Sequence, residues 1–129
     1  MKKLMIIINP AAGRGAFKYN FGEAMHTLAK GGLQPSLFFT SGPGDATGLA
    51  AEYGADYDVV ACLGGDGTLS EVLGGLMKLN DPPPLGYFPM GTTNDVANSI
   101  GLPKNDVVGA AKRILSGTPH DFDVGGFGK

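Results

Sequence analysis

Short apolar runs alternate with amphipathic stretches along this chain. Residues 4–8 are an unbroken apolar run that ends at Asn9-Pro10, the mark of a strand buried on both faces of a parallel sheet. Phe17, Phe21, Met25 and Leu28 then recur at spacings of four, four and three. They predict one apolar helical face, which stops at Gly31-Gly32. Residues 37–40 predict a second strand, and residues 45–53 a second helix with Asp45 as N-cap, Leu49 and Tyr53 on one side and Gly54 at its close. Residues 59–63 read as a third buried strand and residues 64–68 as a turn, before a helix whose face is Leu69, Val72, Leu73 and Leu76. Pro82, Pro83 and Pro84 precede a fourth strand over residues 85–88, since proline is tolerated at the start of a strand but not in its middle. Thr92 or Thr93 caps a short helix through Ile100, which Gly101 and Pro103 end. Val107, Val108, Ala111, Ile114 and Leu115 mark a last helix, and His120, Phe122 and Val124 alternate with Asp121 and Asp123 as in a strand. Strands alternating with helices predict an α/β fold with a largely parallel sheet, whose strand order this pattern does not encode.

Composition narrows the function classes. The 129 residues suit one domain with one core, and 43% hydrophobic against 17% charged residues is too apolar for disorder. The formal charge of −2, without a basic stripe, argues against nucleic-acid binding. Cys62 is the single cysteine, which excludes an internal disulfide and a multi-cysteine zinc site and fits a reducing compartment. Lys2-Lys3 followed by residues 4–8 imitates a signal peptide but is too short for one. No segment approaches transmembrane length. The 22 glycines form no repeat, and many follow apolar runs directly, where a chain turns or approaches a ligand closely.

In an open α/β sheet, ligands bind beyond the carboxyl ends of the strands, where helix N-termini present N–H groups and positive dipole ends. Three loops have that address: Asn9-Pro10-Ala11-Ala12-Gly13, Gly64-Gly65-Asp66-Gly67-Thr68 and Gly91-Thr92-Thr93-Asn94-Asp95, with Thr40 ending the second strand as a fourth contributor. The middle loop is the most telling. Its glycines permit close backbone approach, Thr68 adds a hydroxyl, and a helix follows at once. A lysine would be expected of a Walker-type loop; Asp66 stands here instead and would repel phosphate unless a divalent cation intervened or the carboxylate served in proton transfer. Asp95 and Asp123 lie beyond two other strand ends, so acidic groups around a nucleotide–magnesium complex are the economical reading. The alternative is a tight strand-to-helix turn with no ligand.

These motifs, with Glu71-Val72 after the middle loop, Pro84-Leu85-Gly86 before the third and Gly101-Leu102-Pro103 after it, closely resemble the diacylglycerol kinase catalytic domain family, including its bacterial lipid kinases and sphingosine kinases. The glycine–aspartate loop alone is shared with NAD kinases and related to phosphofructokinases; the order of all three motifs is similar to the lipid-kinase branch. The resemblance implies a three-layer, Rossmann-like sandwich and transfer of the ATP γ-phosphoryl group to a lipid hydroxyl, diacylglycerol-like, with magnesium. Carried over by position, Asn9, Pro10, Gly13, Thr40, Gly64, Gly65, Asp66, Gly67, Thr68, Glu71, Thr92 and Asn94 are expected to hold the nucleotide. Asp66 and Asp95 are expected to be catalytic, and Asp66, Asp95 and Asp123 to organise magnesium. Ser70, Val96 and Asn98 depart from the asparagine, phenylalanine and arginine common in the family, which touches the details of nucleotide and lipid contacts. Family members are longer, with a second, β-rich domain that supplies the proposed general base and much of the lipid site. Residues 1–124 are thus expected to be the nucleotide-binding domain and residues 125–129 a flexible tail at the junction. A cytoplasmic enzyme, peripheral at the inner membrane face, is the corresponding expectation; no periodicity marks an oligomerisation surface.

The remaining candidates have plainer readings. His26 lies in the first helix, away from strand ends and from any metal spacing. Cys62 falls within a buried strand, where a thiol behaves as a small hydrophobe. Phe17 and Phe21 have core spacing, Arg14 could reach a phosphate or solvent, and His120 could pair with Asp121. Two other functions compete: an NAD-kinase-like enzyme acting on a soluble dinucleotide, and a nucleotide-sensing module without catalysis.

Overall fold

A computed structural model describes residues 2–12, 18, 20–90 and 106–116. Four strands, β1 (Lys2–Ile8), β2 (Leu33–Phe39), β3 (Val59–Gly64) and β4 (Leu85–Pro89), form one sheet in the order β2-β1-β3-β4, and every neighbouring pair is parallel. Helices α1 (Phe21–Lys30), α2 (Asp45–Tyr53), α3 (Asp66–Leu76) and α4 (Val107–Ser116) cover its faces.

Successive residues of a strand point to opposite faces, so the run Leu4 to Ile8 serves two cores at once. Leu4, Ile6 and Ile8, with Ala61, Leu63 and Phe88, pack under Ala24 and Leu28 of α1 and Val107, Ala110 and Ala111 of α4. Met5 and Ile7, with Val60, Cys62, Leu85 and Tyr87, pack under Ala46 and Ala50 of α2 and Leu69, Val72 and Leu76 of α3. The three-layer α/β sandwich with a parallel sheet is therefore present, as expected. Cys62 is buried, as read from the sequence, and His26 on α1 is exposed.

Several boundaries differ. β2 begins at Leu33, not at residue 37, and passes through Pro35. Among the described residues it is an edge strand paired only with β1, so the missing proline N–H disturbs no inner ladder. The N-cap of α2 is Gly44, whose φ of 83° suits glycine; Asp45 is already helical, and its carboxylate accepts from the N–H of Ser41 at 2.9 Å. The buried face of α2 consists of alanines, Ala46 and Ala50, while Leu49 is only partly buried and Tyr53 stacks on Phe38 at 5.5 Å between ring centroids. Gly54 closes α2 as read, as its C-cap, and with a φ of −56° it opens a short 3₁₀ turn, Gly54–Asp56. A Cβ there would lie 3.0 Å from Leu76 and 3.2 Å from Leu79, so the glycine serves packing. Phe17, the helix proposed after Thr92 and the strand at His120 lie outside the described residues.

Candidate active site

The sheet order sets the site. From β1 the chain moves to β2 on one side, then returns past β1 to lay down β3 on the other, so the loops after β1 and β3 part from adjacent strand ends. A crevice at such a switch point is the usual ligand address of open α/β sheets. Asn9 continues the pairing of β1 beyond its last residue, its N–H donating to Leu63 O at 3.0 Å. Thr40 does the same from β2, donating to Ile8 O at 2.8 Å.

The turn after β3 is tighter than the sequence suggests. Gly64 is the last strand residue, Gly65 is the N-cap in extended conformation, and Asp66 is already the first residue of α3. The predicted turn over residues 64–68 is therefore a single linking residue followed by helix. A Cβ on Gly64 would lie 2.9 Å from both Cβ and Oγ1 of Thr68, so only glycine lets the first turn of α3 fold back over the strand end. Gly65 makes no side-chain cap bond, and the first N–H groups of any helix lack partners within it. The positive end of α3 thus faces the crevice beside the Thr68 hydroxyl.

Asn9, Pro10, Thr40, Gly67, Thr68 and Glu71 line one cleft of about 480 Å³, together with Ala11, Ser41, Gly42, Pro43 and Ala46. Asn9 is held by its own loop: its Oδ1 accepts from the N–H of Ala11 at 3.0 Å, and its Nδ2 approaches Thr68 Oγ1 at 3.5 Å. Glu71 stands on the cleft wall, one turn into α3, and ties the far rim to it. Its Oε1 accepts from the N–H of Gly44 at 3.1 Å, and its backbone carbonyl accepts from Thr47 Oγ1 at 2.8 Å.

Asp66 does not line this cleft. Its Oδ1 accepts from the Tyr87 hydroxyl at 3.1 Å, so the carboxylate turns towards β4, the strand that leads in sequence to Gly91 and Asp95. Gly64 and Gly65 adjoin the cleft without lining it. Six expected nucleotide residues are therefore brought together, and the expected metal ligand stands at the same helix end on its other side. Gly13, Thr92, Asn94, Asp95 and Asp123 lie outside the described residues, as does Arg14. Among the described residues no group of three or more His, Cys, Asp or Glu side chains could hold a metal by itself. No helix among them is long and apolar enough to cross a membrane.

The electrostatics around α3 match a charged ligand that brings its own cation. Burial pushes the Cys62 thiol well above its usual range, and the negative charges of Glu71 and then Asp66 push it further. Those carboxylates thus make the end of the sheet beneath α3 negative, where the hydroxyls, the Asn9 amide and the helix dipole suit phosphate oxygens. The two preferences agree when a divalent cation stands between phosphate and carboxylate, so the residues present fit magnesium–ATP.

Sequence reasoning missed the rim at Ser41, Gly42, Pro43 and Ala46, and the partner of Asp66. The Ser41-Gly42-Pro43-Gly44 run was a legible loop signal at a strand end. Tyr87 lies 21 residues from Asp66, and no local pattern joins them.

Comparison with known proteins agrees with this architecture. The family described as "Diacylglycerol kinase catalytic domain" matches residues 3–127. The chain is 38% identical to a diacylglycerol kinase of Bacillus subtilis over 126 residues, covering 97% of this chain and 42% of that protein. It is 40% identical to a diacylglycerol kinase of Staphylococcus aureus over 126 residues, 96% of this chain and 39% of that one. A crystal structure of a diacylglycerol kinase from Bacillus anthracis superposes with a TM-score of 0.79 at 33% identity, over 91% of this chain and 40% of the other. The chain therefore spans about two fifths of the length of the relatives it matches.

Proposed function

The chain belongs to the diacylglycerol kinase catalytic domain family, and on that premise we propose that it is the nucleotide-binding part of an ATP- and magnesium-dependent lipid kinase. The observation that carries this reading is the cleft at the switch point, where Asn9, Thr40 and Thr68 converge on the positive end of α3. The polyphosphate lies across the first turn of α3. Gly67 permits its close approach, since no atom stands within 4 Å of where a Cβ would be, and the Thr68 hydroxyl and Asn9 amide contact its oxygens. Glu71 keeps the loop from Ser41 to Gly44 in place as the opposite wall. Asp66 is the described member of the magnesium set, which Asp95 and Asp123 complete.

Magnesium, when bound, neutralises charge on the polyphosphate. Phosphoryl transfer needs little else from the protein than placement and compensation of charge. The oxygen of the lipid alcohol forms a bond to the γ-phosphorus as the bond to the bridging β–γ oxygen breaks, and ADP leaves. The hydroxyl proton passes to a general base. The cleft rim at Pro10, Ser41, Gly42, Pro43 and Gly67 is exposed, so these residues alone bind ATP but leave the γ-phosphate open to water and phosphorylate little or no lipid.

Calorimetric titration with ATP and, separately, NAD, each with and without magnesium, tests the reading. Magnesium-dependent ATP binding that Asp66→Asn loses while keeping its fold is the expected result. Tighter binding of NAD would favour the NAD-kinase alternative, and ATP binding without lipid phosphorylation by the whole enzyme would favour a nucleotide sensor. No ATP binding would overturn the assignment of the cleft.

A further inference from the structure

Asp66 opens α3 and is half-buried, a position from which a short carboxylate can turn back onto backbone N–H groups of its own helix end. The Tyr87 hydroxyl donates to Asp66 Oδ1 at 3.1 Å and so ties one carboxylate oxygen towards β4. Tyr87 is 3% exposed and packs in the core between the sheet and α2 and α3, on the strand position paired with Cys62 of β3. A ring in a close-packed layer has little rotamer freedom, so its hydroxyl is a fixed point carried by the sheet. A hydrogen bond to a charged acceptor is among the stronger neutral-donor bonds, and this one joins the sheet to the first residue of the helix. Partners that orient a metal-ligating side chain contribute to metal affinity without touching the metal.

We propose that Tyr87 is a positioning residue: its buried phenol holds the Asp66 carboxylate in the orientation from which it meets the cation of a magnesium–nucleotide complex. This rests on the reading of the site given above. It makes the β4 core position, and not only the glycine-rich turn, part of the magnesium site. In this role the phenol influences magnesium through Asp66, so that influence disappears when Asp66 carries no charge.

Calorimetric ATP titrations of the protein at a series of free magnesium concentrations separate this role from a structural one. In Tyr87→Phe, which keeps the ring and loses one oxygen, the magnesium concentration that gives half of the gain in ATP affinity rises roughly tenfold. ATP affinity at saturating magnesium stays that of the unaltered protein. The double variant Tyr87→Phe with Asp66→Asn behaves as Asp66→Asn alone. An unchanged magnesium midpoint overturns the proposal. So does an equal loss of ATP affinity with and without magnesium that persists in the Asp66→Asn background. If Tyr87→Phe does not fold, Asp66→Glu, whose carboxylate is displaced by one methylene from the phenol, must show the same rise, and a normal midpoint overturns the proposal in its place. An unaltered protein without magnesium-dependent ATP binding refutes the site assignment itself, and the positioning role with it, a failure visible before any variant is compared.

Discussion

Gly74 and Gly75 are neighbours on α3, yet alanine at the two positions should change stability in opposite directions. At Gly74 a Cβ would meet nothing within 4 Å. The substitution there only reduces the freedom of the unfolded chain and should stabilise by up to about 1 kcal/mol. At Gly75 a Cβ would press on the carbonyl oxygen of Thr47 and lie 2.8 Å from the Cβ of Ala50 and 3.1 Å from the N of Ala51, all in α2. Backbone atoms of a helix cannot rotate aside, so α2 and α3 must separate. Overpacking of this kind costs about 1–3 kcal/mol, of which the helix propensity of alanine recovers up to about 1. A net loss of up to about 2 kcal/mol follows, and urea midpoints of the two variants should differ by roughly 1 M. Because Thr47 Oγ1 and the N–H of Gly44 both bond to Glu71, the same separation loosens the cleft wall. Gly75→Ala should therefore bind ATP more weakly, with Gly74→Ala unaffected. A Gly75→Ala midpoint at or above that of Gly74→Ala would refute the close contact between the helices.

Three further outcomes follow from the same geometry. Gly67→Ala should fold at least as well as the unaltered protein, gaining up to about 1 kcal/mol, but should bind ATP more weakly because its new methyl group enters the cleft; unchanged affinity would move the polyphosphate elsewhere. Cys62 should resist thiol reagents in the native state at pH 8 and react on unfolding, and fast native labelling would contradict its burial. The thiol is raised in the folded state by burial, so its contribution is complete below the unfolded value near 9.0 and is lost as pH rises beyond it. Stability should fall there by up to about 1.4 kcal/mol per pH unit, and Cys62→Ala, measured by urea unfolding between pH 8 and 10, should show a correspondingly shallower slope.

Most of the element sequence is legible locally. The buried run over residues 4–8 needs no context, because an uninterrupted aliphatic stretch of that length is costly anywhere but between two layers. Gly31-Gly32 ends α1 as read, with Gly32 at a φ of 94°. The misplaced boundaries share a cause: the deciding residue acts through a neighbour remote in sequence. Pro35 is acceptable in β2 only because that strand is an edge. Ala46 and Ala50 form the buried face of α2 because α3 lies so close, while the larger Leu49 and Tyr53 stand aside. The helix start at Asp66 depends on Gly64 accepting Thr68 above it.

The α/β alternation, the loops that carry the chemistry and the residue types suited to phosphate can thus be read from the chain alone, because each is a local property of backbone freedom, periodicity or charge. That Asn9, Thr40 and Thr68 share a cleft while Asp66 turns to Tyr87 depends on the packing of remote segments. Strand order fixes which loops become neighbours, and that order follows from how two cores close on a single sheet rather than from any one segment's preference.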